Sequence, residues 1–214
     1  MAHGKFITVE GIEGVGKSTN MEFIARRVTA AGYDVKCTRE PGGTPMAERI
    51  REMLLQHGDE PLSDLSELLL FFAARSLHME NLIRPSLGAG SWVICDRFTD
   101  ASRAYQGAAR GQNMERINTL ADWVHGDLQP DMTVLLDAPA EIGMRRAANR
   151  GESDRLESEQ MSFYNRARDQ YLALAAAEPD RFVVIDASGA LDDVQRQIGV
   201  AVDRLIKTIT NINN

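Results

Sequence analysis

Apolar positions along the chain follow two alternating patterns. Short, nearly continuous apolar runs, of the kind a strand buried on both faces requires, recur at Lys5–Glu10, Asp34–Thr38, Trp92–Cys95, Thr133–Asp137 and Phe182–Asp186. Between them apolar residues return at the helical period over Lys17–Ala31, Pro45–Gln56, Asp64–Gly88, Met114–Gly126, Ala140–Asn149, Ser158–Ala177 and Leu191–Thr208. This alternation predicts an α/β fold, a parallel sheet wrapped by helices. Gly32 supplies a C-cap for the first helix, and the tail Thr208–Asn214 reads as a frayed end. No repeat, low-complexity run or linker interrupts the pattern, so residues 1–214 read as one domain. Ligands of such sheets bind beyond the carboxyl ends of the strands, and the polar residues there are the candidates for chemistry.

The end of the first strand is the most specific. Gly11-Ile12-Glu13-Gly14-Val15-Gly16-Lys17-Ser18, followed by Thr19, fits G-x-x-x-x-G-K-[ST] and lies between a strand and a helix. In that setting backbone N–H groups converge on a phosphate at a helix N-terminus. Lys17 would reach the β- and γ-phosphates of a nucleoside triphosphate, and Ser18 would hold Mg²⁺.

Composition narrows the partners. A net charge of −7 argues against general affinity for nucleic acid or anionic membranes, so local arginine clusters carry more meaning. With 43% hydrophobic and 26% charged residues in 214, the chain suits a soluble domain with a good core. Cys37 and Cys95, both in strand-like runs, read as reduced core residues. His3, His57, His78 and His125 show no metal-ligand spacing. No signal segment opens the chain and no run approaches a membrane span, which points to the cytoplasm.

Other strand ends offer alternatives. Glu13 inside a phosphate cradle is either a solvent-facing turn acid or a group aimed at a second substrate bearing a hydroxyl. Asp96-Arg97 could hold the Mg²⁺ shell and clamp a phosphate, or form a surface ion pair. Asp137 also ends a strand and leaves the metal-associated acid ambiguous, although the helix start at Pro139 favours capping there. The loop Thr38–Thr44 is a turn or an acceptor-phosphate site using Arg39 and Arg51. Phe71 and Arg75, at i and i+4, are a core pair or a base-binding pair. The charged stretch Arg145–Arg155 is a solvated helical face or a lid, about residues 145–157, carrying arginines to the transferring phosphate.

Together the runs EGIEGVGKST, TREPGGT, LLLFFAAR, DRF followed by AYQG, and RGESDR resemble the thymidylate kinase family across essentially the whole chain. The resemblance implies a five-stranded parallel core of P-loop nucleoside-monophosphate-kinase type, a homodimer, Mg²⁺ dependence, and ATP and dTMP as substrates. It implies that Phe71 stacks on thymine and that Arg75 donates to its O4. Glu13 would contact the 3′-hydroxyl, and Tyr105 would pack under C2′. Ser102 and Gln106 would neighbour the base, and Arg97 with Arg39 or Arg51 would hold the acceptor phosphate. Some members carry a catalytic arginine in the P-loop where this chain has Gly14, so Arg150 of the lid takes that role beside Lys17 and Arg97. Ala101 stands where many relatives have serine.

Two rivals fit less well. A kinase acting on thymidine itself would need a carboxylate base at the 5′-hydroxyl and less phosphate-clamping arginine. A GTP-dependent switch would call for N-K-x-D, which is absent.

Overall fold

The structure, a computed structural model, describes residues 4–56, 61–148 and 159–212, with side chains described to residue 208. Five strands, β1 (Phe6–Glu10), β2 (Val35–Arg39), β3 (Trp92–Asp96), β4 (Met132–Asp137) and β5 (Phe182–Asp186), pair in parallel in the order β2-β3-β1-β4-β5. Each expected strand is present, with ends shifted by no more than a residue. Every residue of β1 is buried, because helices cover both faces of the sheet. Ile7 and Val9 join one core with Ile24 and Val28 of α1 (Lys17–Ala30), Tyr164 and Tyr171 of α8 (Met161–Ala177) and Ile198 of α9 (Leu191–Ile212). Phe6 points to a second core with Val93, Cys95, Phe98, Met79, Ile83 and Leu87. Thr8, buried between them, bonds Thr133 at 2.8 Å and so leaves no orphaned hydroxyl in the sheet. The register sets Val9 and Arg39 level with Asp96, which gathers the carboxyl ends on one side of the molecule.

The remaining helices are α2 (Pro45–Leu55), α3 (Asp64–His78), α4 (Arg84–Gly88), α5 (Thr99–Ser102), α6 (Met114–His125) and α7 (Ala140–Ala148). Ser63 and Asn113 cap α3 and α6, each accepting an N–H at 3.1 Å. Gly32 has φ 90° and closes α1 as expected.

The structure corrects several expectations. The helix expected over Asp64–Gly88 is interrupted by a π-helical turn, Met79–Ile83, just before Pro85, whose missing N–H cannot extend an ordinary α-ladder. A helical segment not expected at all runs through α5 and the π-helical turns of Arg103–Ala109. The last helix continues past Thr208 to Ile212. Cys37 is exposed, because β2 is an edge strand with much of its length open to solvent, whereas Cys95 is buried. Asp137 is not a cap: its two oxygens take Nε and Nη2 of Arg168 at 2.7 and 2.9 Å. Most of the lid expected at 145–157, with Arg150, lies outside the described residues.

Candidate active site

The loop after β1 is shaped by its glycines. Gly11, Gly14 and Gly16 have φ of 132°, 74° and 92°, which L side chains rarely adopt. Space is equally restrictive at Gly14, where a Cβ would lie 1.8 Å from the carbonyl oxygen of Gly143 in α7. The loop opens α1 with Gly16 at its N-cap and no side-chain cap, leaving the helix N-terminal N–H groups for an anion. Lys17 curls over the loop, donating to the carbonyls of Ile12 (2.9 Å) and Gly11 (3.2 Å). Burial, then the nearby Arg97 charge, pushes Lys17 down to about 8. A polyanion entering the loop would reverse that balance.

A cavity of about 230 Å³ opens from this loop across the carboxyl ends of β3 and β2 to α3 and the Arg103–Ala109 turns. It brings together Glu13, Gly14, Gly16, Lys17, Ser18, Arg39, Arg51, Phe71, Arg75, Asp96, Arg97, Ser102, Tyr105 and Gln106. Gly11, Ile12, Val15 and Thr19 shape the loop without lining the cavity. The two candidate metal acids separate clearly. Asp137 is held by Arg168, whereas Asp96 lines the cavity with Ser18 and Lys17. Asp96 Oδ1 is buried with no hydrogen-bond partner, an unmet acceptor that suits the water shell of a cation. Among the described residues no group of three or more His, Cys, Asp or Glu side chains is arranged to hold a metal ion. A Mg²⁺ ion needs none, since one carboxylate, a hydroxyl and substrate phosphates suffice. These residues fit the ion.

Beside the loop stands a connected polar group. Arg97 Nη2 donates to Glu13 Oε1 at 2.7 Å and to the Tyr105 hydroxyl at 3.2 Å, while that hydroxyl donates to Glu13 Oε2 at 2.7 Å. The guanidinium lies 4.7 Å from the Tyr105 ring centroid. Glu13 is therefore no solvent-facing turn acid; it faces the second half of the cavity. Arg51 also lines the cavity, donating to the Pro41 carbonyl at 2.8 Å, and Arg39 pairs with Glu48 at 2.9 Å.

The far end is built around Arg75, which is only 2% exposed. Its Nε donates to Glu40 Oε2 at 2.6 Å, Nη2 to the Phe98 carbonyl at 3.1 Å, and both Nη atoms to Ser102 Oγ at 3.1 Å. Those four bonds leave one Nη1 hydrogen of the five guanidinium donors uncommitted, in a side chain that lines the cavity. Glu40 is held in turn by His78 at 3.0 Å. Burial works against its charge, but Arg75 and His78 prevail and keep it below the usual carboxylate range. Phe71 and Arg75 do share the cavity wall, as the i, i+4 spacing required, although the rings packed on the guanidinium are Phe72 and Phe98. Gln106 donates to the buried Glu67 at 3.0 Å, as does Arg110 at 2.8 Å, and Arg110 lies over Phe163.

Glu40, Glu67, Arg110, Phe163 and Tyr171 were missed as site residues. One signal for Glu67 was present: it shares the face of α3 that carries Phe71, Arg75 and His78, an acid where an apolar residue belongs. Glu40 and Arg110 follow separate elements, and Phe163 and Tyr171, both on α8, are far along the chain from the rest of the site.

The family model for thymidylate kinase matches residues 9–198. A thymidylate kinase of Pseudomonas fluorescens is 50% identical over 206 residues, covering 96% of each chain. One from Pseudomonas syringae pv. tomato is 52% identical over 204 residues, covering 95% of this chain and 97% of the relative. The crystal structure of thymidylate kinase from Ehrlichia chaffeensis superposes with a TM-score of 0.72 at 36% identity, covering 87% of this chain and 94% of that one. With its P-loop, its cavity and these relatives in agreement, the chain belongs to the thymidylate kinase family.

Proposed function

We propose that the chain transfers the γ-phosphoryl group of ATP to dTMP, giving dTDP and ADP. The observation that carries this reading is the continuous cavity joining the P-loop to a far end where Arg75 keeps one guanidinium hydrogen for a ligand. Thymine offers O4 as an acceptor there, while cytosine presents an amino donor that Arg75 would face with another donor. Phe71 stacks on the base, Ser102 and Gln106 flank it, and Tyr105 lies beneath C2′. Glu13, already anchored by Arg97 and Tyr105, has lone pairs left for the 3′-hydroxyl.

An oxygen of the dTMP phosphate attacks Pγ and forms the new P–O bond as the bond from Pγ to the β,γ-bridging oxygen breaks, that oxygen leaving on ADP with the electron pair. The attacking oxygen is already anionic at neutral pH, so no strong base is needed. The difficulty is repulsion between two anions. Lys17 reaches the β- and γ-phosphates and Arg97 holds the acceptor phosphate. Arg39 or Arg51, both of which line the cavity, supports Arg97 there. Arg150, from a lid of about residues 145–157 on a single kinase domain, closes over the transferring group and excludes water. Ser18 and Asp96 would hold Mg²⁺, which when bound neutralises developing phosphate charge.

The enzyme works as a homodimer in the cytoplasm. Leu65 and Leu69 of α3 and Trp123 of α6 leave apolar surface exposed on two helices packed together, and no described helix is long and apolar enough to cross a membrane. The test is ADP release in a coupled assay with dTMP, thymidine, dCMP or no acceptor. Turnover with dTMP far above the other three supports the reading; preference for thymidine overturns it.

A further inference from the structure

Arg97 is the sole described non-glycine residue with positive φ, at 68°. A long side chain in that conformation costs about 1–2 kcal/mol and persists only where its surroundings over-determine it. Two consecutive residues of β1 do so. The Val9 carbonyl accepts the N–H of Arg97 at 3.1 Å, and the Glu10 carboxyl accepts the next N–H, that of Phe98, at 2.7 Å through Oε1. Glu10 is fully buried and its other oxygen is also used: Tyr171 of α8 donates its hydroxyl to Oε2 at 2.7 Å. Tyr171 oxygen in turn accepts a longer contact, 3.4 Å, from Arg97 Nη1. Glu10 thus reaches Arg97 from two sides, through the backbone that aims it and through the phenol beside its guanidinium.

We infer that Glu10 and Tyr171 are positioning residues for Arg97 and so set the affinity of the acceptor-phosphate site. Neither lines the cavity, so neither is a catalytic residue. A buried carboxyl without such a task would be replaceable by an apolar residue at little cost, since burying it is unfavourable. Tyr171 also gives the bracket a second anchor, in the buried face of α8. Its ring stands edge-on to Tyr105, 6.2 Å between centroids, so α8 and the turns carrying Tyr105 meet at Arg97.

This inference rests on dTMP being the acceptor, and direct binding measurements keep the two claims apart. Calorimetric titration of dTMP and of ATP into the full chain is compared for the parent, Tyr171→Phe, Glu10→Ala and Glu10→Gln. Tyr171→Phe retains the ring and loses only the hydroxyl; it should weaken dTMP by about three- to tenfold, the worth of one hydrogen bond near a charge, and leave ATP within about twofold. Glu10→Ala should weaken dTMP by more than about tenfold. Glu10→Gln keeps an oxygen for the Phe98 N–H and should recover most of that loss. If dTMP binds Tyr171→Phe as it binds the parent, or if both nucleotides weaken together, Arg97 is not positioned by this bracket. Should Glu10→Ala fail to fold, Tyr171→Phe and Glu10→Gln still decide the question. If the parent itself does not bind dTMP, the acceptor assignment fails, a different result from the loss of the bracket.

Discussion

Two side chains can be tested singly. Arg75 has a double role, since the guanidinium that would read O4 is also the buried partner of Glu40. Arg75→Ala should therefore raise the KM for dTMP far more than that for ATP. It should also destabilise the fold by about 3–5 kcal/mol, the cost of stranding one member of a buried ion pair. Steady-state kinetics and a melting curve on the same preparation separate the effects, and equal losses for both nucleotides would reduce Arg75 to a structural residue. Glu10 gives a pH signature. Burial, then the charge of Asp100, pushes it up to about 8, with Tyr171, Arg97 and the Phe98 N–H acting the other way. The folded state then binds more protons than the unfolded state between about pH 4.5 and 8, so this group stabilises the substrate-free protein at low pH. That stability is lost as pH rises towards 8. Melting temperatures across that range should fall in the parent and fall less in Glu10→Gln; parallel curves would contradict the assignment.

At the scale of elements, the P-loop and α7 touch backbone to backbone. A Cβ at Gly143 would meet the Glu13 carbonyl oxygen at 2.4 Å, and one at Gly14 would meet Gly143. This pair of glycines gives a steric reason for the absence of a P-loop arginine: a side chain at position 14 would displace α7. Gly143→Ala should cost about 1–3 kcal/mol through overpacking, a melting point roughly 2–10 °C lower, and raise the KM for ATP as the loop shifts. A melting point and KM equal to the parent's would show that α7 can move aside freely. The sequence was most legible in such elements. The strand–loop–helix around Gly11–Ser18 is local, and its chemistry follows from adjacent residues. The π-helical turns that carry Tyr105 and Gln106 were not legible, because their wide register leaves no helical period to read.

At the scale of the whole molecule, alternating apolar patterns were enough to give the parallel sheet, since strands that alternate with helices pair in parallel. Strand order was not contained in those patterns, and it decides what meets at the site. Placing β1 between β3 and β4 sets Glu10 against Phe98 and buries Cys95, while leaving Cys37 on an edge. Networks such as Glu67–Gln106–Arg110 or Glu10–Tyr171–Arg97 join residues far apart in the chain, and only the fold brings them together. The exposed Leu65, Leu69 and Trp123 belong to this scale too: sedimentation should give twice the chain mass, and Leu69→Lys should shift it towards the monomer. A parent that sediments as a monomer would contradict the dimer.

A competition decides which acceptor receives the phosphoryl group. Equimolar dTMP, dCMP and isotope-labelled thymidine are incubated together with limiting ATP and Mg²⁺, and the products are resolved by mass spectrometry. Unlabelled dTDP should form in step with ADP, with dCMP and thymidine almost untouched. Labelled dTMP as the main product, or ADP released with no phosphorylated acceptor, would contradict dTMP as the acceptor.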